Sequence, residues 1–334
     1  MMELTKGIIS LTPVLIFLAA LIFLDSYKLV SPRMIVIAIL AGGISALASA
    51  LVNYAISGTD ILSPAAFSRY IAPLVEESAK AAFVVTLFRM NRIGFMVDAA
   101  IYGFTVGAGF SLVENAFYLY RLDTGNILVW IIRGFGTAAM HASTMAMMAV
   151  MAKNLIDRTG HFRWGAFAPG LVLAYAIHSL FNHFILSPTL STVLLLVILP
   201  LLVVLIFQRS EKSTEKWLGV GFDADQELIR QLSTGEFEQT KIGQYLQTLR
   251  ERFPSDIVVD MFCLLRIHTE LALRAKGIMM MRQAGIEMPP DPELKEQLNE
   301  MKFLEKSIGP TGKLAILPFV HTSSQDLWQL TTIK

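Results

Sequence analysis

Ionisable and amide side chains interrupt the apolar stretches that dominate the first 208 residues of this chain. Those that could do chemistry are Glu76, Glu77 and Lys80 in APLVEESAKAAF, Glu114 in FSLVENAFY, Arg133 and His141 in RGFGTAAMHAS, and His178 and Asn182 in AIHSLFNHF. A charged group inside a membrane-spanning helix is costly unless it is paired or faces a wet cavity. Any one of them could be a structural group with a local partner, but their concurrence in four neighbouring stretches predicts a shared site.

Helical spacing indicates how these side chains can act together. Residues four apart lie on one helix face, so we expect Lys80 to neutralise or orient Glu76. In the same way, we expect the Asn182 amide to fix the His178 ring or to bind a substrate carbonyl. Zn²⁺ accepts carboxylate oxygen and imidazole nitrogen as ligands, and a catalytic zinc keeps one position open for water. The side chains therefore predict a zinc site that activates water.

Other hydrolase and nucleotide-binding signatures do not occur in the sequence. It has no H-E-x-x-H motif of soluble zincins, no G-x-S-x-G motif of serine hydrolases and no Walker A loop. The glycines of GFTVGAG, Gly103, Gly107 and Gly109, begin with a small-xxx-small spacing. We interpret them as a motif for close packing of helices.

Membrane-spanning helices must position these residues. Hydrophobic residues make up 54% of the chain and charged residues 16%, whereas a soluble domain has roughly 25% charged residues. Because about 20 apolar residues span the bilayer core as a helix, the sequence predicts an all-α, polytopic membrane helix bundle of about seven spans. The predicted spans are approximately 8–24, 34–56, 64–88, 95–120, 127–152, 164–186 and 189–208.

The charge distribution divides the chain into a transmembrane domain, residues 1–208, and a small helical soluble domain, residues 209–334. The first part holds 12 basic and 9 acidic residues, and the second part holds 16 and 18. Amphipathicity with a helical period characterises the second part. It predicts helices at about 225–233, 236–252, 255–285 and 292–307, separated by Gly235, Pro254 and Pro289-Pro290.

Lysine and arginine residues in the predicted connections orient the chain in a cell membrane. Ten of them fall on one side and three on the other, which places the N-terminus outside and residues 209–334 in the cytoplasm. The single cysteine, Cys263, suits a reducing compartment. A net charge of +1 leaves no basic field for nucleic acid. Residues 209–334 contain no specific motif, and docking of a cytoplasmic protein partner there is a hypothesis.

The order of the polar residues resembles the PrsW-like intramembrane protease family, distant relatives of the CAAX prenyl endopeptidases. The matching pieces are E-E-x-x-K at Glu76, Glu77 and Lys80, Asp98 followed by Tyr102-Gly103, F-x-x-x-E-N at Phe110, Glu114 and Asn115, Arg133 upstream of His141, and H-x-x-x-N at His178 and Asn182. They cover about residues 70–186, and their order on consecutive spans makes the match specific. The first span and residues 209–334 lie outside it.

This resemblance implies an intramembrane endopeptidase that acts on membrane-anchored protein substrates in the lipid bilayer, with metal dependence. The catalytic residues that it implies are Glu76 as general base, Glu77 and Lys80 tuning it, and Asn182 assisting. The implied metal ligands or oxyanion stabilisers are Glu114, His141 and His178, with zinc as the expected ion. A metal-free glutamate mechanism stays open, in which the histidines and Asn182 stabilise the tetrahedral oxyanion directly.

Two functions of other classes also fit buried polar groups. In a transporter or channel the same acids and bases would form a proton or ion relay, but the sequence shows no convincing internal repeat. A non-catalytic scaffold would use the membrane domain only to present residues 209–334 to cytoplasmic partners.

Overall fold

The computed structural model of the chain consists of α-helices joined by short loops. It describes residues 2–58, 62–122, 124–159, 161–233, 237–286 and 292–319, and this part contains no β-strand. The all-α prediction is therefore confirmed. The chain divides into two compact units, Met1–Ser210 and Glu211–Lys334.

Helices occupy all seven predicted spans. They are α1 (Met2–Leu24), α2 (Pro32–Ser57), α3 (Pro64–Ala66), α4 (Ala72–Arg89), α5 (Met96–Arg121), α6 (Ile127–Ile131), α7 (Ala138–Thr159), α8 (Ala168–Asn182) and α9 (Pro188–Ser233). A 3₁₀ turn, Trp164–Phe167, precedes α8. Among the described residues, five helical segments are long and apolar enough to cross a membrane: α1, α2, α5, α9, and α8 together with its 3₁₀ turn.

Each of the remaining two predicted spans, 64–88 and 127–152, contains a π turn, in which the helix is wider than an α-helix. A first π turn, Phe67–Ile71, joins α3 to α4, and a second π turn, Ile132–Thr137, joins α6 to α7. Such π segments are uncommon and occur frequently at functional sites. Here each one lies within two turns of a polar residue of interest, since Glu76 follows the first and His141 follows the second.

Glycines bring α5 into backbone contact with helices on two sides. A Cβ atom at Gly109 would lie 2.1 Å from the Ile39 carbonyl oxygen on α2. A Cβ atom at Gly103 would lie 2.6 Å from the Met145 oxygen on α7, and one at Gly107 would lie 2.2 Å from the His141 oxygen. Only glycine allows these approaches, so the three glycines act in helix packing as the sequence predicted.

Local hydrogen bonds define where two of these helices begin. The Asp98 carboxylate accepts from the backbone N–H groups of Gly94 and Phe95, at 2.7 Å each, and thereby caps the start of α5. The Ser31 hydroxyl accepts from the backbone N–H of Met34 at 3.3 Å and caps α2, whose first residue is Pro32.

The second unit packs α10 (Lys241–Leu249), α11 (Ser255–Gln283) and α12 (Pro292–Ile316) around a core of leucine, isoleucine and methionine side chains. The predicted helix at 225–233 is not separate, because α9 continues unbroken through it: the intervening polar residues include no proline. The positive φ of Gly309, next to Pro310, kinks α12. Gly235 and Pro289-Pro290, predicted as separators, lie outside the described residues.

Candidate active site

Side chains from four helices of the first unit meet in one place, which we call the polar cluster. Its members are Glu76, Glu77 and Lys80 from α4, Glu114 from α5, Arg133 and His141 from the second π turn and α7, and His178 from α8. The close contact of Gly107 with the His141 backbone sets the distance between α5 and α7 at this point. The shared site predicted from the sequence is thus present as a set of direct contacts.

Glu77 lies at the centre of the polar cluster and is completely buried. Its Oε1 accepts from the Lys80 ammonium at 2.6 Å and from Nδ1–H of His178 at 2.8 Å. With the proton on Nδ1, the Nε2 of His178 keeps a free lone pair, and it lies 3.8 Å from Oε2 of Glu76. Carboxylates commonly orient metal-binding histidines in this way.

Both ring nitrogens of His141 form hydrogen bonds with neighbouring side chains. The Lys80 ammonium donates to Nδ1 at 3.0 Å, so this network assigns the ring proton to Nε2, which donates to Oε2 of Glu114 at 3.2 Å. The Arg133 guanidinium also lies 3.3 Å from Glu114. The Phe110 ring packs against the imidazole, with centroids 4.9 Å apart.

Lys80 pairs with Glu77 and not with Glu76, which corrects the expectation drawn from four-residue spacing. Both carboxylates are within reach of a lysine three or four residues further along a helix. Glu77 has no exposed side-chain surface, whereas 15% of the Glu76 side chain is exposed. An unpaired charge is most costly in the drier position, so Lys80 neutralises Glu77.

Glu76 and Glu114 form the more accessible side of the polar cluster. Their side chains are 15% and 23% exposed, while those of His141 and His178 are at most 3% exposed. The Nδ2 amide of Asn53, on α2, contacts Oε1 of Glu76 at 3.4 Å. The two carboxylates are therefore the members of the polar cluster closest to the surface of the first unit.

Glu76, His141 and His178 are spaced as metal ligands. One potential ligand atom from each lies within 4.8 Å of those of the other two. Both donor types suit zinc, and the free Nε2 of His178 is already oriented by Glu77. The residues therefore fit a metal, with His141 exchanging its hydrogen bond to Lys80 or to Glu114 for a bond to the ion. The predicted ligand Glu114 is not one of these three, and it contacts His141 and Arg133.

Asn182 does not fix the His178 ring as predicted, since Glu77 fills that role. Its amide donates to the carbonyl oxygen of Ser68 at 3.0 Å, and the Ser179 hydroxyl donates to that of Arg69 at 2.7 Å. Both acceptors belong to the first π turn. Backbone groups in a membrane must be satisfied within the protein, so the end of α8 stabilises the turn that precedes Glu76.

Asn53 and Ser179 contact the site or its supporting turn, and neither was among the residues predicted from the sequence. A signal for Asn53 was present, because it is a lone amide within the apolar stretch of α2. Ser179 gave no signal, since serine is common in membrane helices and its partner is a backbone carbonyl more than a hundred residues earlier.

The sequence of this chain matches the model of a known protein family. The model of the PrsW family of intramembrane metalloproteases matches residues 30–207, more than half of the 334-residue chain and all of the polar cluster. No curated protein and no solved structure matches the chain. The chain therefore belongs to the PrsW family of intramembrane metalloproteases.

Proposed function

We propose that this chain hydrolyses peptide bonds of membrane-anchored protein substrates at the polar cluster, with a zinc ion held by Glu76, His141 and His178. The observation that carries the proposal is the convergence of these three ligand atoms within 4.8 Å, from three different helices. A bound zinc supplies Lewis acidity to the attacking water and to the scissile carbonyl group.

The charge balance of the polar cluster supports a cation. It contains three carboxylates and two permanent cations, Lys80 and Arg133. With neutral imidazoles and all three carboxylates ionised, one negative charge is left without a compensating charge, and an uncompensated charge in a membrane is costly. A divalent ion would offset that cost.

We infer a division of roles between the two accessible carboxylates that differs from the assignment based on family resemblance. The ligand spacing favours Glu76 as the third ligand. Glu114 then accepts a proton from water at a carboxylate oxygen while the new C–O bond forms. It delivers that proton to the departing amide nitrogen as the C–N bond breaks. Arg133 holds the Glu114 carboxylate near His141.

The remaining members of the polar cluster act through these groups. Glu77 holds His178 by its Nδ1–H, and Lys80 compensates the charge of Glu77 while it orients His141. Asn182, at the end of α8, contributes as a positioning residue through the first π turn.

A glutamate-type mechanism without metal is the second candidate, and one observation favours it. The Lys80 contact leaves His141 with an Nε2–H donor, which could stabilise an oxyanion directly. Removal of metal separates the two mechanisms, because only the first loses activity on chelation.

We further propose that the N-terminus lies outside the cell and that residues 209–334 lie in the cytoplasm. The excess of lysine and arginine on one side supports this orientation. The helical unit after Ser210 is then available to a cytoplasmic protein partner.

Variants of the purified, detergent-solubilised protein test the proposed function. We expect Glu76→Gln, His141→Ala and His178→Ala to lose both bound zinc and cleavage of a transmembrane substrate. Glu114→Gln should keep its zinc and lose cleavage. If Glu114→Gln loses zinc while Glu76→Gln keeps it, the two roles are exchanged. Cleavage at the wild-type rate by Glu76→Gln, His141→Ala and His178→Ala would refute the hydrolase proposal.

A further inference from the structure

Asn53 is a polar side chain in an otherwise apolar part of α2. Its neighbours Leu51, Val52 and Tyr54 are exposed on the surface of the first unit, by 72%, 46% and 81%. Asn53 is only partly exposed, and its Nδ2 lies 3.4 Å from Oε1 of Glu76. The amide therefore lies between the apolar surface of α2 and the polar cluster.

The Asn53 amide contributes little to the stability of the fold. Its Oδ1 is buried and has no hydrogen-bond partner among the described residues. A buried acceptor without a partner is unfavourable, and an apolar side chain of the same shape would avoid that cost. The opposite orientation of the amide would set its oxygen against the Glu76 carboxylate, so Nδ2 belongs on that side.

The two oxygens of Glu76 face different partners. Oε1 faces Nδ2 of Asn53, and Oε2 faces Nε2 of His178 at 3.8 Å. A donor on one oxygen limits rotation of the carboxylate and keeps the other oxygen directed toward the histidine. Glu77 restricts the His178 ring in the same manner.

We propose that Asn53 is a positioning residue that holds the Glu76 carboxylate in the orientation required for metal binding. This inference rests on the proposed function, in which Glu76 is a ligand. Partners that orient metal ligands commonly change metal affinity by about 10-fold to 100-fold. The 3.4 Å contact is longer than the roughly 2.7–3.2 Å of a typical N–H···O hydrogen bond, so we expect an effect near the lower end of that range.

Zinc affinity of the full-length protein, measured by competition with a chromophoric chelator, tests the proposal. Asn53→Leu keeps the shape of the side chain and removes the amide, and we expect it to bind zinc about 10-fold more weakly than wild type. At limiting zinc kcat should fall, while KM for the transmembrane substrate stays unchanged because Asn53 acts through Glu76. Asn53→Ala should weaken zinc binding in the same direction, and it replaces the first variant if Asn53→Leu does not fold.

Ser49→Ala is the matched control. Ser49 lies one turn earlier on the same helix and is buried, but among the described residues its hydroxyl donates only to carbonyl oxygens of its own helix, at 2.8 Å to Ser45 and 3.1 Å to Ala46. We expect this variant to bind zinc as wild type does.

The possible results separate this inference from the proposed function. If wild type and Asn53→Leu bind zinc equally well, the role of Asn53 is refuted and the zinc site stands. If Ser49→Ala weakens zinc binding as much as Asn53→Leu does, the effect belongs to α2 in general and the inference fails. If wild type itself binds no zinc, both the inference and the metal site are refuted.

Discussion

At the scale of single residues, the contacts of Glu77 show how charged side chains are accommodated inside this helix bundle. It accepts from Lys80 and from His178, and neither it nor Lys80 has any exposed side-chain surface. A buried ion pair adds little net stability, but removing one partner leaves an uncompensated charge. The pair therefore holds two site residues in place without being a source of stability.

Glu77→Gln tests this reading. The glutamine can still accept from His178, but it leaves the Lys80 ammonium without a counter-charge. We expect the free energy of unfolding to fall by about 3–5 kcal/mol, as measured by denaturation in mixed detergent micelles. Glu227→Gln is the control, because Glu227 pairs with Arg230 on an exposed surface of α9. Equal stability of the two variants would contradict the buried-pair account.

Cys263 gives a second prediction at this scale, in the helical unit. Partial burial, followed by the nearby carboxylates of Asp260 and Glu300, raises the pKa of its thiol. A raised pKa keeps the thiol protonated to higher pH, and the protonated form is unreactive. We expect iodoacetamide to modify the folded protein at pH 8 more slowly than the denatured chain, measured by mass spectrometry. Equal rates would show that the thiol is not shielded.

At the scale of elements, the glycines of α5 determine how closely the helices that carry the site approach. A Cβ atom at Gly107 would lie 2.2 Å from the His141 oxygen, and the obstacle is backbone, not a flexible side chain. The antiparallel neighbour α7 also brings Glu114 and His141 together, because side chains lean toward the N-terminus of their own helix. Because α5 and α7 run antiparallel, the Glu114 and His141 side chains lean toward each other.

Gly107→Ala should therefore separate α5 from α7 at the site. We expect loss of most zinc affinity and cleavage, with the protein still helical by circular dichroism. Gly7→Ala is the matched control in α1, since a Cβ atom there would meet nothing within 4 Å. It should keep full activity. Wild-type zinc affinity in Gly107→Ala would show that the close approach is not required.

The sequence predicted the helices and most members of the polar cluster, for identifiable physical reasons. Hydrophobic length marked the helices of the first 208 residues, and the cost of charge in a membrane marked Glu76, Glu77, Glu114, His141 and His178. It did not predict the partner of Lys80, because spacing allows both glutamates and only burial decides between them. The π turns were also missed, and the side chains that bind carbonyl groups of the first one, Ser179 and Asn182, lie more than a hundred residues further along the chain.

At the scale of the whole molecule, the predicted orientation can be tested independently of chemistry. An excess of lysine and arginine on one side predicts an external N-terminus and a cytoplasmic C-terminal unit. With an epitope tag at each end, protease added to intact cells should remove only the N-terminal tag. Removal of the C-terminal tag alone would reverse the orientation and leave the site geometry unaffected.

Three helices of one bundle bring Glu76, His141 and His178 together, and we propose that these residues hold a metal that peptide hydrolysis requires. The most direct test is the cleavage rate of a transmembrane substrate by the purified protein after chelation and again after zinc is restored. We predict that chelation abolishes cleavage, that zinc restores it to wild type, and that zinc does not restore it to His178→Ala. An undiminished rate in the chelated protein would contradict the account.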